Sequence, residues 1–389
     1  MEVVRVSFAD LKEGNDLSAQ IEAAFGPGGL GIIAVSDVPG YPEARQRLLP
    51  LALRLGELPE EAKRRIEDPD SKYSFGWSEG KESVEAGRRD ALKASFYANP
   101  LTDTPTTDPE LIRRFPTYCR PNVWPSQDLP QLEPAFKALG RMIVDVGKHL
   151  LQHCDAYVHS RNPHVPPGKL LRVVEQSPCH KARLLLYLPP QQPPPTPPAA
   201  QGDREREGEG ESPAESIRAS EEEDSVACGG EGGDKNESFT KRDETGADAD
   251  VSSWCGWHLD HGSLTGLTRA QFWRDGERVE GSDLDPACGL YIRTRDGQIV
   301  QAHIPEGCIA FQVGHAMSIQ SGGLLAATPH CVAAPQGPAS VGVSRATLAV
   351  FMQVRTVHVC PHCSCVSALF RCVRTYHAFA MPKLIGRCS

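Results

Sequence analysis

The sequence predicts a mainly β protein, an antiparallel sandwich or jelly roll, preceded by an N-terminal α/β region with flanking helices. Two observations predict this fold class. From residue 252 onward, short apolar runs of strand type alternate with turn residues, which is typical of antiparallel sheets rather than of alternating βαβ units. Before residue 180, most apolar residues are spaced as in amphipathic helices, with one or two strand-like runs between them.

Composition bounds the class of protein. The chain has 389 residues, of which 40% are hydrophobic and 23% charged, enough apolar material for a sizeable core. It contains no apolar run of 18 residues, and its N-terminus lacks the features of a signal peptide. We therefore expect a cytoplasmic protein without a membrane association, whose 13 cysteines are reduced thiols rather than a disulfide framework.

The net charge of −9 is concentrated in one segment. Residues 201–250 hold 17 acidic and six basic residues, and the remainder of the chain is close to neutral. No basic face is available to bind nucleic acid. The charge therefore describes the segment and not the whole protein.

The N-terminal region, residues 1–180, is predicted to be helical and mixed. A strand is expected at 3–7, a helix at 16–25 with Asp16 as N-cap, a strand at 30–35, and helices at 41–56, 59–67 and 131–158. The polar stretch 69–100 is expected to be mostly loop. The apolar residues of the long helix at 131–158 are interpreted as core.

The C-terminal region, residues 181–353, is predicted to hold the β core, and an insert interrupts it. A strand at 181–189 is followed by residues 190–251, which are first proline-rich and then acidic, with few large apolar residues. Such a segment cannot bury enough surface to offset its ordering entropy, so disorder is expected. It is either an inert insertion or a contact surface for a protein partner.

The remaining strands follow the insert in one block. Asp296-Gly297 lies between two strand-like runs, which is a strong hairpin signal. The predicted strands lie at 263–268, 289–294, 299–304, 308–313, 327–332 and 346–352.

His258 and Asp260 lie two residues apart in this block. Side chains at i and i+2 of a strand share a face, so one metal ion could bind both. His330 could supply a third ligand from a later strand, and two histidines with one carboxylate are the usual ligands of non-haem Fe(II) oxygenases. Arg345 and Thr347 share a face of the last strand, where an arginine suits a carboxylate ligand. Taken singly, the histidines could equally be core residues and Asp260 a turn residue.

These motifs resemble the isopenicillin N synthase-like branch of the Fe(II)- and 2-oxoglutarate-dependent dioxygenases. The resemblance covers most of residues 1–353 except the insert. It rests on Trp254-Cys255-Gly256-Trp257-His258-Leu259-Asp260-His261-Gly262-Ser263-Leu264-Thr265, on Gly322-Gly323-Leu324-Leu325-Ala326-Ala327-Thr328-Pro329-His330-Cys331-Val332, and on Ser344-Arg345-Ala346-Thr347.

The resemblance implies a double-stranded β-helix (jelly roll) core. It implies that His258, Asp260 and His330 bind Fe(II), and that Arg345, assisted by Thr347, holds the distal carboxylate of 2-oxoglutarate. The co-substrates would be 2-oxoglutarate and O2, with ascorbate as a supporting reductant, and the substrate a small organic molecule that is hydroxylated or desaturated. The family's usual Arg-x-Ser reads Arg345-Ala346-Thr347 here.

The same resemblance leaves the other residues near this site with two interpretations each. His261 is structural or a hydrogen-bond partner of a ligand, and Arg183 lines the co-substrate pocket or lies at a sheet edge. Lys93, Phe96 and Tyr97 are candidates for substrate contact. Relatives carry an Asn-Tyr-Tyr-Pro strand, but its Asn is missing here, so Tyr187 is given no role.

The sequence is compatible with two other functions. The first is an oxidase of isopenicillin N synthase type that does not use 2-oxoglutarate, and the second is a non-catalytic binding protein on the same fold. The Cys-rich tail, residues 354–389, is atypical of the family. Its Cys360-Pro361-His362-Cys363 is a weak zinc signal, and the alternatives are a divergent tail or a gene-model error.

Overall fold

The computed structural model describes residues 2–81, 92–189 and 253–354. The predicted insert, residues 190–251, and all but the first residue of the predicted tail, residues 354–389, lie outside these ranges. Seven of the 13 cysteines lie inside them, and no disulfide joins these seven. Among the helices of these ranges, none has the length and apolar composition needed to span a bilayer.

The described residues form short strands and one long helix. The strands are β1 (Val4–Ser7), β2 (Ile32–Ser36), β3 (Gly76–Glu79), β4 (Lys93–Ala98), β5 (Lys181–Tyr187), β6 (Ser253–His258), β7 (Leu264–Thr268), β8 (Gln271–Arg274), β9 (Glu277–Val279), β10 (Gly289–Arg293), β11 (Ile299–Gln301), β12 (Ile309–Val313), β13 (His330–Ala333) and β14 (Val343–Met352). The helices are α1 (Phe8–Glu13), α2 (Ser18–Phe25), α3 (Tyr41–Leu48), α4 (Pro50–Gly56), α5 (Glu60–Arg65), α6 (Pro109–Arg114), α7 (Pro116–Cys119), α8 (Leu132–Arg161), α9 (Lys169–Glu175) and α10 (His315–Gln320).

The strands form two sheets. The larger sheet has the order β1-β2-β12-β7-β14-β5-β4-β3, with β8 and β9 attached to β14, and the smaller sheet has the order β11-β10-β13-β6. Apart from the parallel pair β1–β2, the described pairings are antiparallel. The two sheets do not join into a closed barrel, and the predicted jelly-roll class with flanking helices is confirmed.

Alternation along β5 shows how the layers are arranged. Leu184 and Leu186 belong to the core shared with the helices, whereas Leu185 and Tyr187 pack with residues of the smaller sheet such as Trp254. Because successive strand residues face opposite sides, one face of the larger sheet carries the helices. The other face lies toward the smaller sheet, and the candidate site lies between the sheets.

The helix α8 confirms the predicted long helix and its buried face. It packs closely on β7, where a Cβ on Gly266 would lie 2.1 Å from a side-chain carbon of Ile143. Glycine at 266 therefore sets the distance between helix and sheet. The helix predicted at 41–56 is divided at Pro50 into α3 and α4, because proline at the start of α4 supplies no backbone donor.

The prediction for residues 69–100, mostly loop, missed two strands. Residues 82–91 lie outside the described ranges, but 69–81 and 92–100 contain β3 and β4, which extend the larger sheet beyond β5. The polar residues Lys93 and Ser95 obscured the strand pattern, yet both are buried against neighbouring strands. Their burial depends on pairing with β5, which lies more than 80 residues further along the chain.

Candidate metal centre and anion pocket

The structure brings the three predicted metal ligands together. His258, Asp260 and His330 each offer one ligand atom, and these atoms lie within 4.8 Å of one another. His258 and His330 are directly opposite in the antiparallel pair β6–β13, with ring centroids 4.2 Å apart. Two nitrogen donors and one carboxylate therefore converge at the end of the smaller sheet.

Asp260 reaches this position in a different way from the one predicted. β6 ends at His258, and Asp260 lies in the irregular segment that follows. The backbone carbonyl of Asp260 accepts a 2.7 Å hydrogen bond from the amide of His315 at the start of α10. A strand end and a fixed turn, rather than strand alternation, thus place the carboxylate 4.0 Å from Nε2 of His258.

A bulge in β6 also positions the ligands. Val332 of β13 pairs with Cys255, and His330 pairs with His258, so β6 carries one residue more than β13 between these two pairs. The extra residue turns both Cys255 and His258 toward the cavity between the sheets. The Cys255 thiol lies 3.8 Å from Nδ1 of His258.

The two ligand histidines differ in environment. His330 is buried, and burial lowers its pKa to about 4, against the opposing charge of Asp260. Burial also lowers the pKa of half-buried His258, but the contact with Cys255 and the charge of Asp260 outweigh it and raise that pKa to about 9. The acidic neighbours therefore act mainly on His258.

Each imidazole has a partner at Nδ1. His258 Nδ1 lies 2.8 Å from the carbonyl oxygen of Gly256, and His330 Nδ1 lies 2.9 Å from the amide nitrogen of Gln312. Both partners lie at Nδ1, so Nε2 is the nitrogen that binds a metal once Nδ1 carries the ring proton. Gln312 was not singled out in the sequence, although it is the one polar residue in the apolar run Ile309–Val313.

A cavity of about 350 Å³ connects this centre with Arg345. Arg345 lies on β14, is 7% exposed, and its Nε and Nη1 have no hydrogen-bond partner among the described residues. Unpaired donors of a buried cation are unusual, because desolvating them without compensation is costly. The guanidinium is therefore a good candidate for binding an anion.

Tyr187, which was given no role from the sequence, lies beside Arg345. The two residues are directly opposite in the pair β5–β14, and the guanidinium carbon of Arg345 lies 5.0 Å from the centre of the Tyr187 ring. The ring stacks in turn on Trp254, at 5.4 Å between centroids. This cross-strand register could not be inferred from a motif whose Asn is missing.

Thr347 lies on the same face of β14 as Arg345 and lines the same cavity. Its hydroxyl donates to the carbonyl of Thr268 at 2.9 Å, and it lies 3.1 Å from the Thr268 hydroxyl. The hydroxyl proton is therefore used within the sheet. In this arrangement Thr347 has no proton left to donate to a carboxylate.

Of the remaining residues singled out in the sequence, Arg183 lines the cavity, Phe96 lies in the core and His261 is exposed. Arg183 lines the cavity, lies 3.0 Å from the Ser95 hydroxyl through Nε and stacks over Tyr97. It is not at a sheet edge, since β5 lies between β14 and β4. Phe96 is fully buried in the helical core, and the His261 side chain is exposed.

Comparison with known proteins gives a match in structure only. No protein-family model and no curated protein matches the sequence. A Caulobacter crescentus protein of the 2OG-Fe(II) oxygenase family has a TM-score of 0.60 and 18% identity, covering 96% of this chain and 99% of that one. A full-length Neurospora crassa protein crystallised with alpha-KG and 5-formyluracil has a TM-score of 0.56 and 16% identity, covering 90% and 84%. JOX2, crystallised with 2OG, Fe and JA, has a TM-score of 0.53 and 14% identity, covering 92% and 76%.

These likenesses establish the fold. The chain has the jelly-roll architecture of the 2OG-Fe(II) oxygenases, and the resemblance found in the sequence is confirmed at that level. The motifs that carry it lie where the fold places the two sheets face to face.

Proposed function

We propose that this protein is a non-haem Fe(II) oxygenase that couples the oxidative decarboxylation of 2-oxoglutarate to hydroxylation or desaturation of a small organic substrate. One observation carries the proposal. A cluster of two imidazoles and one carboxylate shares a cavity with a buried arginine that has unpaired donors.

The donor set fits Fe(II). Two imidazole nitrogens and one carboxylate on one side of an ion are the set used by non-haem Fe(II) oxygenases, and they leave positions open for co-substrate and O2. His258, Asp260 and His330 are held by a strand pair and a fixed turn, so their geometry needs little rearrangement. The proposed iron ligands are these three residues.

The other end of the cavity fits a carboxylate. Arg345 can present Nε–H and a neighbouring N–H side by side, which matches the two oxygens of a carboxylate. In the described residues Nε and Nη1 have no acceptor, and the Tyr187 side chain is a hydrogen-bond partner of the guanidinium. We assign Arg345 to the distal carboxylate of 2-oxoglutarate, with the Tyr187 hydroxyl beside it; Thr347 assists by turning its hydroxyl proton from the Thr268 carbonyl to the ligand.

When Fe(II), 2-oxoglutarate and O2 are bound together, the metal centre supplies the oxidising power to break a substrate C–H bond. The protein residues orient the co-substrate and keep water out. Apolar side chains line much of the cavity, namely Leu185, Leu267, Phe272, Val332, Ala349 and Phe351. A cavity of this size suits a small molecule, and the solved neighbours crystallised with 5-formyluracil and JA are consistent with such a substrate.

The test is a turnover assay on the purified full chain with Fe(II), 2-oxoglutarate and ascorbate. We expect O2 uptake matched by succinate formation, stimulated by some members of a panel of small metabolites. His258→Ala should reduce succinate formation by about 100-fold or more. His261→Ala is the matched control, because its side chain is exposed beside the same motif, and it should retain activity.

Two outcomes discriminate the alternatives. O2 uptake without succinate would favour an oxidase that does not use 2-oxoglutarate. Failure of the wild-type chain to bind Fe(II) with its three ligands intact would contradict the proposal and favour a non-catalytic binding protein.

A further inference from the structure

Gln312 lies behind one of the proposed iron ligands and on the opposite sheet. It belongs to β12 of the larger sheet, whereas His330 begins β13 of the smaller sheet. The Gln312 side chain is fully buried, and its amide lies 2.9 Å from Nδ1 of His330. The contact therefore joins the two sheets at the metal centre.

The chemistry of a ligand histidine determines which amide atom faces the ring. A neutral imidazole that binds metal through Nε2 carries its proton on Nδ1, so Nδ1 must donate. The amide nitrogen of Gln312 cannot accept that proton, but the amide oxygen can. A 180° rotation of the amide exchanges the two atoms in nearly the same space.

Three contacts favour Nδ1 as the donor. The carbonyl oxygen of Thr328, which can only accept, lies 3.4 Å from Nδ1 of His330. The other ligand, His258, has a carbonyl oxygen at the corresponding nitrogen, that of Gly256. With its nitrogen toward His330, Gln312 leaves its own oxygen buried and without a partner in the described part of the chain.

The other amide atom of Gln312 has no partner among the described residues. Thr265 is the cross-strand neighbour of Gln312 in the pair β7–β12. Its hydroxyl and the Gln312 amide oxygen are both buried without a hydrogen-bond partner in the described part of the chain, so they do not bond to each other. The orientation of the amide is therefore decided on the His330 side.

We propose that Gln312 is a positioning residue: its amide oxygen accepts the Nδ1 proton of His330, which holds the ring with Nε2 directed at the metal. This inference rests on the proposed function, because it requires His330 to be a metal ligand. Gln312 itself touches neither metal nor substrate.

The test compares Gln312→Leu with Gln312→Glu in the full chain, with Co(II) as the probe. Leucine has a similar volume but no acceptor, and glutamate keeps an acceptor while removing the amide nitrogen. We expect Gln312→Leu to weaken Co(II) binding by roughly 10- to 100-fold. Gln312→Glu should stay within about threefold of wild type. Circular dichroism and thermal unfolding before metal addition check that each variant is folded.

A spectroscopic measurement tests the same hydrogen bond without relying on a variant. Proton NMR of the wild-type Co(II) protein should show two hyperfine-shifted, exchangeable imidazole N–H signals, one from each ligand histidine. In Gln312→Leu one of them should exchange much faster with D2O or disappear. A single such signal in the wild type, or equal Co(II) affinity in wild type and a folded Gln312→Leu, would overturn the inference. If the wild type binds no Co(II), it is the proposed function that fails.

Discussion

A buried cation lies at each end of strand β5, and the two cations differ in the partners that the protein gives them. Lys181 begins the strand and is 8% exposed, while Arg345 lies opposite Tyr187 at its end and is 7% exposed. The two sites share one face of the larger sheet, because Lys181 and Tyr187 are six residues apart. Burial is therefore the same, and the difference lies in the partners.

Lys181 is fully enclosed by the protein. Its ammonium donates to the carbonyl of Thr117 and lies 4.9 Å from the ring centre of Phe75 and 5.0 Å from that of Tyr118, with Tyr97 slightly further away. Cation–π contacts of this kind stabilise a desolvated ammonium only in part. Burial lowers the pKa of Lys181 to about 7.

Arg345 has partners on one side only. Tyr187 lies under its guanidinium and is a hydrogen-bond partner of it. Nε and Nη1 are buried without an acceptor among the described residues, and the side chain borders the cavity. Lys181 meets a carbonyl and aromatic rings of the protein, so its charge affects only the fold. Arg345 keeps donors without an acceptor among the described residues and lies beside a cavity, so we expect it to bind a ligand.

Replacing each buried cation by methionine tests whether only Arg345 binds the co-substrate. Arg345→Met should raise the KM for 2-oxoglutarate by roughly 100-fold or more, because two hydrogen bonds to a charged group are lost. Lys181→Met should leave that KM within about threefold. Steady-state succinate formation measures both values, and similar KM increases in the two variants would show that Arg345 is not a specific anchor.

The next effect concerns Lys181 and pH. Its folded pKa of about 7 lies below the unfolded value of 10.5, so the unfolded chain binds more protons between these values and stability rises with pH there. Between pH 7 and pH 9 the wild type should gain about 2 kcal/mol in its free energy of unfolding relative to Lys181→Met. Urea unfolding at the two pH values measures this difference, and parallel pH profiles would refute the assignment.

The free energy of unfolding of Arg345→Met shows whether Arg345 also stabilises the fold. Without co-substrate, Arg345→Met should leave the free energy of unfolding unchanged or raise it by about 1 kcal/mol, since an incompletely paired buried cation is replaced by an apolar side chain. Chemical denaturation checks the sign. A loss of several kcal/mol would mean that the arginine has structural partners after all.

Removing the Tyr187 hydroxyl tests whether it contacts the co-substrate beside Arg345. Tyr187→Phe keeps the ring under Arg345 and removes only the hydroxyl, so the KM for 2-oxoglutarate should rise about fivefold, equivalent to one ordinary hydrogen bond. Tyr118→Phe is the matched control at the lysine end. If both variants have the wild-type KM, the Tyr187 hydroxyl does not contact the co-substrate.

Several features could be predicted from local sequence. Asp296-Gly297 predicted the hairpin of β10 and β11, and the apolar spacing predicted α8. His258, Asp260 and His330 were predicted as one group, and the structure brings their ligand atoms within 4.8 Å; their binding of iron remains a proposal. These predictions used residue types and short spacings, which depend little on distant parts of the chain.

The chemical groups of the site follow from the amino-acid sequence: two imidazoles, one carboxylate, and an arginine with a hydroxyl two residues further on. The surroundings of these groups follow from the packing of the folded chain. Tyr187 meets Arg345, and Gln312 meets His330, through register between strands or contact between sheets. Asp260 reaches the centre from a turn fixed by α10 rather than from a strand. The difference comes from separation along the chain. Backbone geometry sets the relation of residues two positions apart, whereas Gln312 and His330 are 18 positions apart and Tyr187 and Arg345 are 158 apart, so these contacts depend on how the whole core packs.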